Sequence, residues 1–130
     1  MRRALDIVVL IFGVVCMLIA LAHIVLGPSA IPGAVPVNAT MDSEDRFYAT
    51  LFLGFGAALA WCSQRMKRRG TVFGWLLAVF FLGGLARLVS VLSVGLPNDF
   101  FQLMAALELA LPPLLWWWYR RVYADVVPHV

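Results

Sequence analysis

Residues 4–26 read ALDIVVLIFGVVCMLIALAHIVL, a run with one aspartate, one histidine and no lysine or arginine. At 1.5 Å per residue it extends about 34 Å, enough to cross the roughly 30 Å hydrocarbon layer of a bilayer. A cleaved secretory signal is the competing reading, because Arg2 and Arg3 precede the run and Ala20-Leu21-Ala22 has the small-residue pattern of a cleavage site. The run is longer than a usual signal core and carries Asp6 near its start, and both features favour a retained span.

Composition supports that reading along the whole chain. With 63% hydrophobic residues in 130 and a mean hydropathy of +0.92, the chain holds more apolar surface than a soluble core of this size can bury. Further apolar runs place spans at about 44–63, 71–95 and 99–119, the second being the shortest and opening on a partly polar turn near Glu44. The expected fold is an all-α membrane protein, a four-transmembrane-helix bundle in a single domain covering 1–130.

Basic residues set the orientation. Arg2 and Arg3, then Arg65, Lys67, Arg68 and Arg69, then Arg120 and Arg121 all fall on one side of a four-span topology, whereas residues 27–43 contain no Lys or Arg. The positive-inside rule makes the basic side cytoplasmic, with both termini there. Each cluster abuts a span and has anionic headgroups as its natural partner, so the net charge of +3 gives no reason to invoke nucleic acid.

The loops follow recognisable local chemistry. Pro28, Pro32 and Pro36 resist regular helix between spans one and two, and Asp42 or Ser43 is placed to cap the second helix, with Glu44 and Asp45 at its positive end. Asn38-Ala39-Thr40 matches a glycosylation sequon, a pattern that chance produces often. Gly95, Pro97, Asn98 and Asp99 form a tight hairpin connection, a glycine stop followed by an Asn or Asp cap. Trp116-Trp117-Trp118-Tyr119 before Arg120-Arg121 reads as an interfacial anchor.

The halves echo each other: Leu21-Ala22-His23-Ile24-Val25 corresponds to Leu85-Ala86-Arg87-Leu88-Val89. Two parallel helical hairpins would place His23 and Arg87 at equivalent positions, although generic Leu and Ala content also produces short matches of this kind.

The polar residues within the spans converge. Arg87, sixteen residues after Thr71, lies about 24 Å up a rising helix, and Glu108, nine residues after Asp99, lies about 14 Å down a descending one. Side chains lean toward their helix N-terminus, so the two approach each other. Helical spacing gives inward stripes of Gly13, Met17, Ala20, His23 and Gly27; Arg46, Thr50, Gly54 and Ala57; Gly83, Arg87 and Ser90; and Gln102, Ala105, Glu108 and Pro112. An ionised group in lipid costs several kcal/mol unless paired or wetted. The candidate polar cluster is therefore Arg46, Arg87, Glu108, His23, Ser90 and Glu44, in the outer half of the bundle. A purely architectural Arg87–Glu108 pair is the bland alternative.

Cys16 and Cys62 sit at different depths and are poorly placed for a disulfide. The sequence has no CxxC, no metal-spaced His and Cys cluster, no phosphate loop and no GxSxG.

Pro32-Gly33, Glu44, Arg46-Phe47-Tyr48, Gly83-Gly84-Leu85-Ala86-Arg87 with Ser90, Gly95, Pro97 and Glu108-Leu109 together resemble a group of small four-helix bacterial membrane proteins catalogued as a domain of unknown function. The resemblance covers most of residues 8–115. It implies a bacterial inner-membrane location and reinforces Arg46, Arg87 and Glu108 as the residues of interest. The group is similar in size and helix count to DoxX-like membrane proteins, some linked to quinone oxidation, which implies a lipid-like or quinone ligand; the chain shows no quinone motif or redox cysteine pair.

Three function classes follow: a protein binding a small anionic or lipid- or quinone-like ligand, an accessory subunit of a larger membrane complex or homodimer, and a proton-coupled carrier or oxidoreductase component using Glu108 and His23. Non-enzymatic roles are favoured, and no cofactor is specified.

Overall fold

A computed structural model of the chain describes residues 2–123. They form four helices, α1 (Arg2–Leu26), α2 (Ala39–Ser63), α3 (Gly70–Val94) and α4 (Asp99–Tyr123), with a short 3-10 turn at Gly27–Ala30. The expected cytoplasmic location of both chain ends bears in part on residues 1 and 124–130, which lie outside the described residues.

Arg2–Ala30, Gly70–Val94 and Asp99–Tyr123 are each long and apolar enough to cross a membrane. Large apolar side chains stand exposed along them, among them Ile11, Leu18 and Val25, then Val79, Leu82 and Val89, then Leu103, Leu107 and Leu114. Such a surface is stable against hydrocarbon and not against water. The chain is an all-α membrane protein. Helix α2 has the same 25 residues as the others, but Asp42, Glu44, Asp45 and Arg46 occupy its first turns and leave only Phe47–Cys62 apolar.

The chain divides into two compact units, one of residues 6–64 and one built on α3 and α4. Each is a helical hairpin. In the first, α1 and α2 meet at paired glycines: a Cβ added to Gly13 would lie 2.6 Å from the Gly56 carbonyl oxygen, and one added to Gly56 would lie 2.6 Å from that of Gly13. Removing both side chains lets the two backbones touch, as small residues do between membrane helices.

Two expectations for α2 require correction. The helix begins at Ala39, five residues before Glu44, because Asn38 caps it: its Oδ1 accepts from the Met41 amide at 2.9 Å. Asp42 and Ser43 are thus inside the helix, and the sequon asparagine serves as the cap. The buried face runs through Ala49, Gly56, Leu59 and Ser63, rotated away from the expected stripe of Arg46, Thr50, Gly54 and Ala57; Gly54 faces open space.

In the second hairpin the close approach lies at Gly84, where a Cβ would sit 3.0 Å from both Glu108 Cβ and Leu109 Cγ. Gly83, expected to provide that room, would meet only Glu108 Oε2 at 3.7 Å, an ordinary contact. The aromatic run also divides. Trp117 is exposed beneath Arg121, with the guanidinium 5.2 Å from the ring centre, as an interfacial anchor requires. Tyr119 is fully buried, stacks between Trp116 and Tyr123, and donates its hydroxyl to the Met66 carbonyl at 3.3 Å. It fastens the basic connection to the hairpin and is a core residue.

The hairpins resemble each other internally. Val9, Gly13 and Ala20 are buried on α1, and Phe73, Leu77 and Gly84, each 64 positions later (73 − 9, 77 − 13, 84 − 20), are buried on α3. Each hairpin also sets a basic side chain of its first helix against an acid of its second: His23 with Asp45, 22 residues apart, and Arg87 with Glu108, 21 apart.

Candidate functional site

The turn ends of the two hairpins carry the polar groups. In the first, Gly27 ends α1 with φ +65°, and Ser29 Oγ donates to the Leu26 carbonyl at 2.7 Å. Arg46 reaches back from α2: Nη1 donates to the carbonyls of Ile24 at 2.7 Å and Val25 at 3.3 Å, while Nε donates to Asp42 Oδ1 at 2.8 Å. A cation on exposed C-terminal carbonyls also complements the helix dipole. The fit is close, because a Cβ at Gly27 would lie 2.7 Å from Arg46 Nη2. His23 Nδ1 lies 3.1 Å and 3.2 Å from the two carboxylate oxygens of Asp45. Glu44 is exposed on the adjacent turn. This cluster joins the end of α1 to the start of α2, and Arg46 and His23 serve there as fasteners.

In the second hairpin Gly95 stops α3 at φ +108°, a conformation open to glycine. Asn98 then starts α4, its Oδ1 accepting from the Phe100 amide at 3.0 Å. The expected pair forms here. Arg87 Nε donates to both oxygens of Glu108 at 2.8 Å, with the Glu108 side chain 7% exposed and that of Arg87 38% exposed. The guanidinium also lies over the Phe101 ring, 5.4 Å from its centre. Pro112 and Pro113 remove the N–H groups that would bond the carbonyls of Glu108 and Leu109, so the hydrogen-bond ladder of α4 loses two donors one turn beyond the carboxylate while the helix continues.

Beside this pair lies an open-sided cavity of about 290 Å³. Ala86, Arg87, Ser90 and Val91 of α3 line it, with Pro97 of the turn and Phe101, Gln102 and Ala105 of α4. Gln102 is oriented by its own amide, which donates to the Pro97 carbonyl at 3.0 Å and to Asp99 Oδ1 at 3.3 Å. Glu108 occupies only Nε of Arg87. The two terminal nitrogens have no hydrogen-bond partner among the described residues, and they belong to a residue of the cavity wall. The basic residues Arg120 and Arg121 are at the far end of α4, in its last turn.

A family model described as a domain of unknown function, DUF4345, matches residues 4–119. The chain belongs to this family. No curated protein and no solved structure matches it. The match spans both hairpins and includes Arg46, Arg87 and Glu108.

Of the six residues expected to form one cluster, the structure brings Arg87, Glu108 and Ser90 together in the second hairpin and His23 and Arg46 together in the first, with Glu44 exposed beside them. Asp42 and Asp45, expected to serve the start of α2 as a cap and a helix-end charge, are instead ion-pair partners of Arg46 and His23, and Phe101 joins the site without a signal in the sequence. The spacing held a signal for Asp45: it follows His23 by nearly the interval that separates Glu108 from Arg87. Cys16 and Cys62 are both buried thiols.

Proposed function

We propose that this protein binds a small amphipathic molecule, anionic or lipid- or quinone-like, with its polar head in the cavity beside Arg87. The observation that carries the reading is the division of labour on that arginine: Nε is held by Glu108 while both terminal nitrogens are left for a ligand. Guanidinium donors left unpartnered at the membrane-facing surface are costly, so a partner for them lowers the free energy of the whole site. Glu108 positions the arginine, Phe101 supports its face, and Ser90 and Gln102 offer neutral polar contacts.

The cavity's size speaks to the shape of the ligand. About 290 Å³ accommodates a head group and not a whole lipid, so the tail extends along the apolar surface at the end of α3, where Leu92 and Val94 are almost fully exposed. On this reading the cavity lies in the outer half of a bacterial inner membrane, with the basic ends of the helices cytoplasmic and α2 serving as a fourth span; the clustering of basic residues in the sequence supports that orientation. An accessory or homodimeric subunit would present the same exposed helix faces to protein instead of lipid.

Native mass spectrometry of protein purified from membranes in mild nonionic detergent tests the reading. Wild-type chain retains a lipid-sized adduct that Arg87→Met loses and Arg68→Ala keeps. Equal retention by the folded Arg87→Met protein, or no adduct on wild type even after lipid is added back, contradicts it. Stoichiometric co-purification of other subunits with no adduct favours the accessory role.

A further inference from the structure

We infer that the head group received by Arg87 is an uncharged hydrogen-bond acceptor, a carbonyl-bearing amphiphile rather than an anion. This rests on the binding reading above and concerns the charge balance of the same site. Among the described residues, Arg87 is the one ionisable member of the cavity wall, and its charge is already matched by Glu108, both of whose oxygens lie 2.8 Å from Nε. The nearest further charge on the structure's hydrogen-bond network is negative: Asp99 Oδ1, which takes the Gln102 amide at 3.3 Å. The positive end of α4 is offset by that same aspartate in its first turn.

An anion entering this site would leave it with a net negative charge in surroundings of low dielectric. Five of its eight described lining residues, Ala86, Val91, Pro97, Phe101 and Ala105, offer no compensating donor. A carbonyl oxygen takes the terminal N–H groups of Arg87 and adds no charge, so the Arg87–Glu108 balance is kept. The fork of two terminal nitrogens also suits an acceptor presenting one or two oxygens in the guanidinium plane. An acyl ester and a quinone ring supply the same chemistry from different sources.

The test is a titration of full-length chain by native mass spectrometry, with monooleoylglycerol, decylubiquinone and the permanently anionic oleyl sulfate as probes. Wild type is expected to bind at least one uncharged probe about tenfold more tightly than oleyl sulfate, the scale set by one uncompensated charge in a partly desolvated site. The ester and ring arms tell which carbonyl source is preferred. Glu108→Gln removes the balancing charge, and it is expected to shift the ratio toward oleyl sulfate by about tenfold or more. Oleyl sulfate binding wild type as tightly as the uncharged probes, or tighter, overturns the inference while leaving the binding reading intact. If none of the three binds wild type, the binding reading itself fails. Should Glu108→Gln not yield folded, monodisperse protein, the ratio on wild type decides alone.

Discussion

Breaking the Arg87–Glu108 pair from either side should have unequal consequences, and the structure gives the scale. With Nε 2.8 Å from both carboxylate oxygens, the charge centres lie about 4 Å apart, and their attraction is about 4 kcal/mol at an effective dielectric near 20. Desolvation opposes much of this, and the Arg87 side chain is 38% exposed, so the net loss on breaking the pair lies below the 3–5 kcal/mol typical of fully buried ones. Arg87→Met leaves Glu108, 7% exposed, facing apolar surroundings, and is expected to destabilise the protein by about 2–3 kcal/mol. Glu108→Gln leaves an arginine that still opens onto the cavity, and should cost about 1–2 kcal/mol. The double variant should be less destabilised than the sum, with a coupling of about 1–2 kcal/mol. Reversible unfolding in mixed detergent micelles, followed by helical circular dichroism, measures all four corners of the cycle. A coupling below about 0.5 kcal/mol would mean that the two charges act independently, contrary to the geometry of the pair.

Gly13→Ala should destabilise the first hairpin by about 1–2 kcal/mol, the overpacking penalty less the helix preference of alanine, because its Cβ meets the Gly56 carbonyl oxygen at 2.6 Å and the Ala60 amide nitrogen at 2.8 Å. Gly54→Ala, which enters open space, should be neutral or stabilising in the same unfolding assay. Arg46→Met should speed amide exchange in residues 24–30, where the cation holds the last carbonyls of α1, and leave adduct retention at the Arg87 cavity unchanged; loss of the adduct would show that Arg46 is a ligand-binding residue.

The sequence was most informative where a polar residue had few places to go. Arg87 and Glu108 were legible as a pair because depth along two antiparallel helices and the direction of side-chain lean allow few other arrangements. The Gly95 to Asp99 turn was legible because a left-handed glycine and an Asn cap have local physical causes. Rotational phase was harder to read. Gly83 and Gly84 differ by one residue, about 100° around a helix, and both look equally suited to close contact; which one faces α4 depends on packing against Leu109 and Glu108. The same ambiguity misplaced the inner face of α2. The start of α2 was hidden because Asn38 caps a helix just after a proline-rich stretch, so the acidic residues following it resembled caps when they are ion-pair partners. Tyr119 was taken for a membrane anchor because burial by the Met66 connection leaves no trace in the aromatic run itself.

If the terminal nitrogens of Arg87 are addressed to a ligand, a cryo-electron microscopy structure of the protein in lipid nanodiscs will reveal it. It should show non-protein density in the cavity bounded by Ser90, Phe101 and Gln102, within hydrogen-bond distance of Nη1 or Nη2, with Nε still on Glu108. A cavity closed by repacked side chains, or terminal nitrogens turned onto protein carbonyls, would contradict it and leave the pair as an architectural lock.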